Sequence, residues 1–156
     1  SSSLFIKQSN DENLTPIEEI DVSDMIIPNL ESMQNHSHGK GYYGEQMVFQ
    51  YLQKKYSSKP GVSVKWLNQN DESHLPHDIE LIENKKKYYI EVKSTAINDN
   101  HTFQLSISQI EAILEYNKYY FIYRVYINAK KLYILNNIRQ RLNEEELSCT
   151  MTINIR

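Results

Sequence analysis

The sequence predicts an α/β domain in which helices flank a mixed central sheet, in the element order α-β-β-β-α-β-β. Three observations lead there. A helically spaced apolar stripe lies in residues 45–55, ahead of a Pro60-Gly61 stop. Two apolar alternations flank Asn84-Lys85-Lys86 and read as a β-hairpin. A capping box, Ser106-Ile107-Ser108-Gln109, opens a second amphipathic run.

Taken in order, residues 1–35 are polar and weakly periodic, with Asn10-Asp11-Glu12-Asn13 and the prolines Pro16 and Pro28. They read as an N-terminal extension or linker end, in which Ile17, Ile20, Met25, Ile26, Ile27 and Leu30 suggest one short helix or a segment docked on the core. Residues 36–156 read as the folded domain. Its first helix begins near His38 and buries Val48, Tyr51 and Leu52, with Glu45 bordering that face near the first turn. Val62, Val64 and Trp66 mark a strand, and 68–76 a polar loop. The hairpin occupies 77–83 and 87–94. The second helix carries Ile107, Ile110, Ile113 and Leu114 on one stripe. Two strands follow at 119–127 and 132–135, then a polar helix at 136–147 and a possible closing strand at 150–155.

Composition narrows the function. The 156 residues include 12 tyrosines and carry a net charge of −3, which weighs against a standing, tight DNA binder. A site that holds a cation would add negative charge of its own. Cys149 is the single cysteine, so no intrachain disulfide exists, and the expectation is an intracellular, reducing setting (nucleus or cytoplasm) with Cys149 as a small core residue. No run approaches the roughly 20 apolar residues of a membrane span. The longest, 119–127, is broken by Arg124, and 1–10 lacks the pattern of a signal peptide. No membrane partner is expected.

The hairpin register concentrates the chemistry. A two-residue loop at Asn84-Lys85 pairs Glu83 with Lys86, so Leu81 faces Tyr88 and Ile79 faces Ile90, four residues that share one apolar face. On the other face Asp78 then opposes Glu91, and Lys93 points to the same side. Opposed carboxylates repel, and a hard cation between them removes that cost. Mg²⁺, or Mn²⁺ in its place, is held by one or two carboxylates with water and phosphate oxygens, which suits Asp78 and Glu91. Lys93 is placed to stabilise charge on a phosphate. Glu45 is positioned as a further carboxylate, and Gln109 as a hydrogen-bonding group from the first turn of the second helix.

Asp78, a spacer and Glu91-Val92-Lys93 resemble the PD-(D/E)XK signature of restriction-endonuclease-like nucleases, with Pro76-His77-Asp78 in place of a strict Pro-Asp pair. More closely, Gly41-Tyr42-Tyr43-Gly44-Glu45, Trp66, His77-Asp78-Ile79, residues 90–95, 103–109 and 120–125 resemble the protein NO VEIN C-terminal family, over roughly 38–127. The resemblance implies a restriction-endonuclease-like core and metal-dependent hydrolysis of nucleic-acid phosphodiester bonds by in-line attack of water, DNA before RNA. It implies Asp78 and Glu91 as metal ligands, Glu45 as an accessory acid and metal ligand, and Lys93 as the catalytic lysine. Relatives carry Glu where this chain has Gln109, which keeps hydrogen bonding but loses a charge. The low basicity places targeting in other domains of a larger protein or in a homodimer.

Plainer readings stand beside these. Glu91 and Lys93 suit the solvated face of an edge strand. Glu45 suits a first-turn glutamate, and Gln109 is explained by the capping box alone. Trp66 and Phe103 read as core rather than base-stacking platforms. His36, His38, His74 and His77 lack zinc-ligand spacing, though His77 adjoins Asp78. Lys54, Lys55, Lys59 and Lys85-Lys86-Lys87 are solubilising surface or, on a nuclease, phosphate contacts. The alternative function is a catalytically silent nuclease-fold module that binds nucleic acid or protein.

Overall fold

The computed structural model describes residues 14–25 and 39–156. Six strands form one sheet: β1 (Glu18–Asp21), β2 (Val62–Trp66), β3 (Ile79–Glu83), β4 (Lys86–Thr95), β5 (Tyr120–Tyr126) and β6 (Lys131–Leu135). Their spatial order is β1-β6-β5-β4-β3-β2. Every neighbouring pair is antiparallel except β4 and β5, which are parallel. Helix α1 (Gly39–Tyr56) precedes β2, α2 (Ile107–Tyr116) crosses from β4 to β5, and α3 (Ile138–Asn143) follows β6. A parallel pair cannot be joined by a tight turn, so the α2 crossover is what the β4–β5 pairing requires.

Alternation along β4 divides the molecule into two cores. Ile90 and Val92 join Met47, Val48 and Leu52 of α1, with Ile79 and Leu81 of β3. The other core sets Ile113 of α2 and Ile138 of α3 against Tyr120 and Ile122. Glu91 and Lys93 alternate with Ile90 and Val92, and meet α2.

The hairpin register is the one the apolar pattern demands: Ile79↔Ile90, Leu81↔Tyr88 and Glu83↔Lys86. Asn84 and Lys85 make the two-residue turn with φ of 51° and 68°, the left-handed pair a type I′ turn needs. Ser106 caps α2 by the box read from sequence, with both its reciprocal hydrogen bonds formed.

Four expectations change. Glu18–Asp21 is a strand on β6, not a helix, and Val22 behind it is buried, so the stretch read as an extension supplies an edge of the sheet. The rest of that reading, on 1–13 and 26–35, lies outside the described residues, as do His36 and His38. Residues 150–155 form no strand despite their alternation, because β1 already takes the place beside β6. The helix read at 136–147 is a single short segment, Ile138–Asn143. Cys149, expected in the core, is exposed in the irregular chain beyond it.

Close approach of α1 to β4 depends on Gly44. A Cβ there would stand 1.6 Å from Ser94 Oγ and 2.7 Å from Ser94 Cβ. Gly44→Ala is therefore expected to cost about 1–3 kcal/mol by overpacking, despite the higher helix propensity of alanine. Adding Ser94→Gly removes the obstructing atoms and should recover most of the loss in urea melts. A neutral Gly44→Ala would contradict this packing.

Candidate functional site

The end of the hairpin ladder carries the site. Regular β3–β4 pairing stops at Ile79↔Ile90. One residue earlier the Asp78 N–H donates to the Ile90 carbonyl at 2.9 Å, one residue short of the partner the same register would give. The Asp78 side chain takes over the edge role: its Oδ2 accepts from the Val92 N–H at 2.8 Å. That bond fixes the carboxyl beside β4. Tyr120, wholly buried at the start of β5, donates its hydroxyl to the Pro76 carbonyl and pins the approach to Asp78.

Glu45, Asp78 and Glu91 come together here from α1, the loop before β3, and β4. Asp78 stands within electrostatic reach of both other carboxyls. Glu91 is 5% exposed, which excludes the reading of a solvated edge strand for this residue. Burial, followed by repulsion from Asp78, pushes the Glu45 carboxyl up to about 7. Burial and then Glu91 do the same for Asp78, also to about 7. Glu91 reaches about 7 through burial, although Lys93 pulls the other way.

Lys93 is the cation at the site. Its Nζ lies 3.3 Å from Glu91 Oε1 and donates to Gln109 Oε1 at 3.0 Å. Gln109 Nε2 in turn donates to Glu91 Oε1 at 2.7 Å. The capping residue of α2 thus also orients both Glu91 and Lys93. All five residues singled out from the sequence, Glu45, Asp78, Glu91, Lys93 and Gln109, belong to one connected network.

Sequence reasoning missed Asn68. Its Nδ2 donates to Glu45 Oε1 at 2.7 Å and to Asp78 Oδ1 at 2.8 Å, while its Oδ1 accepts from the Ser73 N–H at 2.9 Å. It bridges two carboxylates and shapes the loop that leads to the second. Trp66 Nε1 adds a 3.3 Å hydrogen bond to Glu45, with the indole buried as core. The available signal was position: Asn68 comes two residues after a strand-ending tryptophan. His77 faces elsewhere. It is buried against Tyr89, with Nε2 3.1 Å from Glu80 Oε1.

Among the described residues no three His, Cys, Asp or Glu side chains are arranged to enclose a metal ion. Mg²⁺ needs no such cage, since one or two carboxylates with water and phosphate oxygens hold it. Asp78 and Glu91 meet that requirement: one half-buried, the other buried, mutually repelling, with one ammonium nearby. Oxygen donors without thiolate or imidazole suit a hard cation rather than zinc. Glu45 Oε1 is committed to Trp66 and Asn68, which makes Glu45 a support of Asp78 in this arrangement.

Gln109→Glu tests that electrostatic balance. The change replaces a donor to Glu91 by a fourth carboxyl. It is expected to destabilise the metal-free fold by about 1–3 kcal/mol and to enlarge the stabilisation gained from Mn²⁺. Melting with chelator and with Mn²⁺ reads both, and unchanged melting in both conditions would remove Gln109 from the site.

Comparison with known proteins agrees with the family resemblance. The family described as Protein NO VEIN, C-terminal matches residues 44–136, a span that contains Glu45, Asn68, Asp78, Glu91, Lys93 and Gln109. Protein NO VEIN-LIKE of Arabidopsis thaliana is 37% identical over 87 residues, covering 54% of this chain and 13% of that protein. Protein NO VEIN of the same plant is 34% identical over 87 residues, covering 54% of this chain and 3% of its own length. The chain therefore spans only a small part of these much longer relatives. No solved structure matches. The chain belongs to the protein NO VEIN C-terminal family.

Proposed function

We propose that this chain is a metal-dependent nuclease domain with a restriction-endonuclease-like, PD-(D/E)XK type of site, most suited to endonucleolytic cleavage of DNA and using Mg²⁺ or Mn²⁺. One observation carries the reading: one buried and two half-buried carboxyls converge with one lysine at the end of a β-hairpin, where desolvation opposes their charges. Structural ion pairs do not need three acids around one base. The spacing Asp78 … Glu91-Val92-Lys93 and the β-hairpin beneath it are what the PD-(D/E)XK pattern uses.

Asp78 and Glu91 would hold the ion. Bound there, it supplies Lewis-acid charge to the phosphate and acidifies a water. Lys93 places its ammonium beside Glu91, where it offsets negative charge growing on a non-bridging phosphate oxygen. Gln109 keeps Glu91 and Lys93 in register, and Asn68 and Glu45 hold Asp78. The small share of the long relatives that the chain covers supports a module whose targeting comes from other domains or from a second copy. Such a module would act inside the cell, in nucleus or cytoplasm. No helix among the described residues is long and apolar enough to cross a membrane.

The test is cleavage of labelled single- and double-stranded DNA and RNA with Mg²⁺ or Mn²⁺, beside Asp78→Asn and Lys93→Ala. Cleavage by the parent that disappears in both variants and with chelator supports the proposal and names the substrate. No cleavage of any substrate would leave a silent module on this fold.

A further inference from the structure

We infer that the end of the sheet opposite the carboxylates is a binding surface for single-stranded nucleic acid, formed by Lys55, Lys85, Lys86 and Lys118 around half-exposed tyrosine rings. The inference extends the nuclease reading by naming a second place where the substrate is held. β4 runs from this end, at Lys86, to the site at Lys93, about 20 Å at the rise of an extended strand. That is roughly six stacked nucleotides along one strand.

Neighbouring side chains set the placement. The C-terminal turn of α1 brings Lys55 over Tyr56, 5.5 Å from the ring centre. Tyr56 lies within electrostatic reach of Tyr88, whose ring centre is 5.6 Å from that of Tyr119. Lys118 sits over Tyr119 at 5.5 Å. The β3–β4 turn adds Lys85 and Lys86 beside this row, tied to the α1–β2 loop by the Lys59–Glu83 ion pair and by the Asn84 N–H on the Gly61 carbonyl. Lysines 54, 59 and 87 are each paired with an acid. Among the described residues Lys55, Lys85, Lys86 and Lys118 have no such ion pair, and all four are exposed.

The turn geometry lifts Lys85 into solvent at the tip of the hairpin. The lysine occupies the left-handed second position of the turn, φ 68°, where glycine is the favoured residue.

Cations interleaved with tyrosine faces match a single strand, whose phosphates meet the lysines and whose unstacked bases meet the rings. An anionic membrane is the poorer match. It calls for a cluster of exposed aliphatic side chains beside the lysines, whereas Ile82 is the one exposed large aliphatic residue on this hairpin and the more exposed Leu75, Ile97, Ile107 and the Met151–Ile155 stretch belong to other segments. A net charge of −3 is no obstacle, because local potential governs such contacts.

The experiment measures binding of fluorescent dT20, U20 and a 20-base-pair duplex by the full chain in chelator, with phosphatidylserine vesicles as a further arm. Tight binding of dT20 or U20 over duplex and vesicles is expected. The triple change Lys55→Glu, Lys85→Glu, Lys118→Glu should weaken it at least tenfold and flatten its salt dependence. Lys85→Gly should weaken it severalfold while raising Tm, a combination that a purely structural lysine would not give. Unchanged affinity in both variants, or preference for duplex or vesicles, would overturn the inference. Binding is read without metal, so a failure of cleavage leaves this result standing. Cleavage by a triple variant with undiminished affinity overturns only the second surface.

Discussion

Glu91→Gln is expected to make the domain inactive and more stable at once. The amide keeps an oxygen for Gln109 Nε2 and Lys93 Nζ, which both now approach Oε1. It removes the negative charge that now repels Asp78. Metal-dependent cleavage should fall by about 10³-fold, the scale of losing one preorganised charge-stabilising group. In chelator at pH 7.5 the variant should gain about 1–3 kcal/mol by relief of buried repulsion, or on the order of 5 °C in Tm for a chain of this size. The sign follows from proton uptake. Folded Glu45, Asp78 and Glu91 keep protons up to about pH 7, while unfolded carboxyls release them near pH 4. Between those values the folded state binds more protons, so metal-free stability falls as pH rises. A pH series of melts should show this fall in the parent and a smaller one in Glu91→Gln. A destabilised, still active variant would contradict the assignment.

Arg141→Ala should be the most damaging change outside the site. Arg141 is fully buried. Its guanidinium donates to the Asn136 carbonyl at 2.9 Å, Asn136 Oδ1 at 2.8 Å, Glu146 Oε2 at 2.6 Å and the Thr15 carbonyl at 2.6 Å. The last bond joins the chain just before β1 to the segment after β6. Removal strands these acceptors, and a loss of about 3–5 kcal/mol is expected, as for breaking a buried ion pair from one side. Hydrogen exchange should find the loosening concentrated in β1 and α3. Arg141→Lys, unable to span all four acceptors, should fall between. A loss under about 1 kcal/mol would show that the clamp does little.

The readable part of the site was the local part. Glu91 and Lys93 follow from a two-residue turn and an alternation of period two, whereas Asp78, expected opposite Glu91, lies just beyond the last ladder pair and reaches β4 through its side chain on the Val92 N–H. Gln109 was readable as a helix cap. Its second task, holding Glu91 and Lys93, depends on the crossover that lays α2 beside β4, which no local pattern encodes. Asn68 and Tyr120 were silent for the same reason: each acts on the Asp78 loop from 10 and 44 residues away along the chain. β1 pairs Glu18 with Ile134, and its acidic, four-residue sequence resembles a guarded edge more than a core strand. Once β1 holds that edge, the alternation at 150–155 has no strand beside β6 to join.

The central claim is that Asp78 and Glu91 form a site for a divalent cation. Melting of the parent and of Glu91→Gln across a Mg²⁺ or Mn²⁺ titration tests it most directly. Tm should climb with metal in the parent, by about 2.7 kcal/mol of added stability at a hundredfold excess over Kd, and stay flat in Glu91→Gln. Equal responses in the two proteins, or none in the parent, would contradict it.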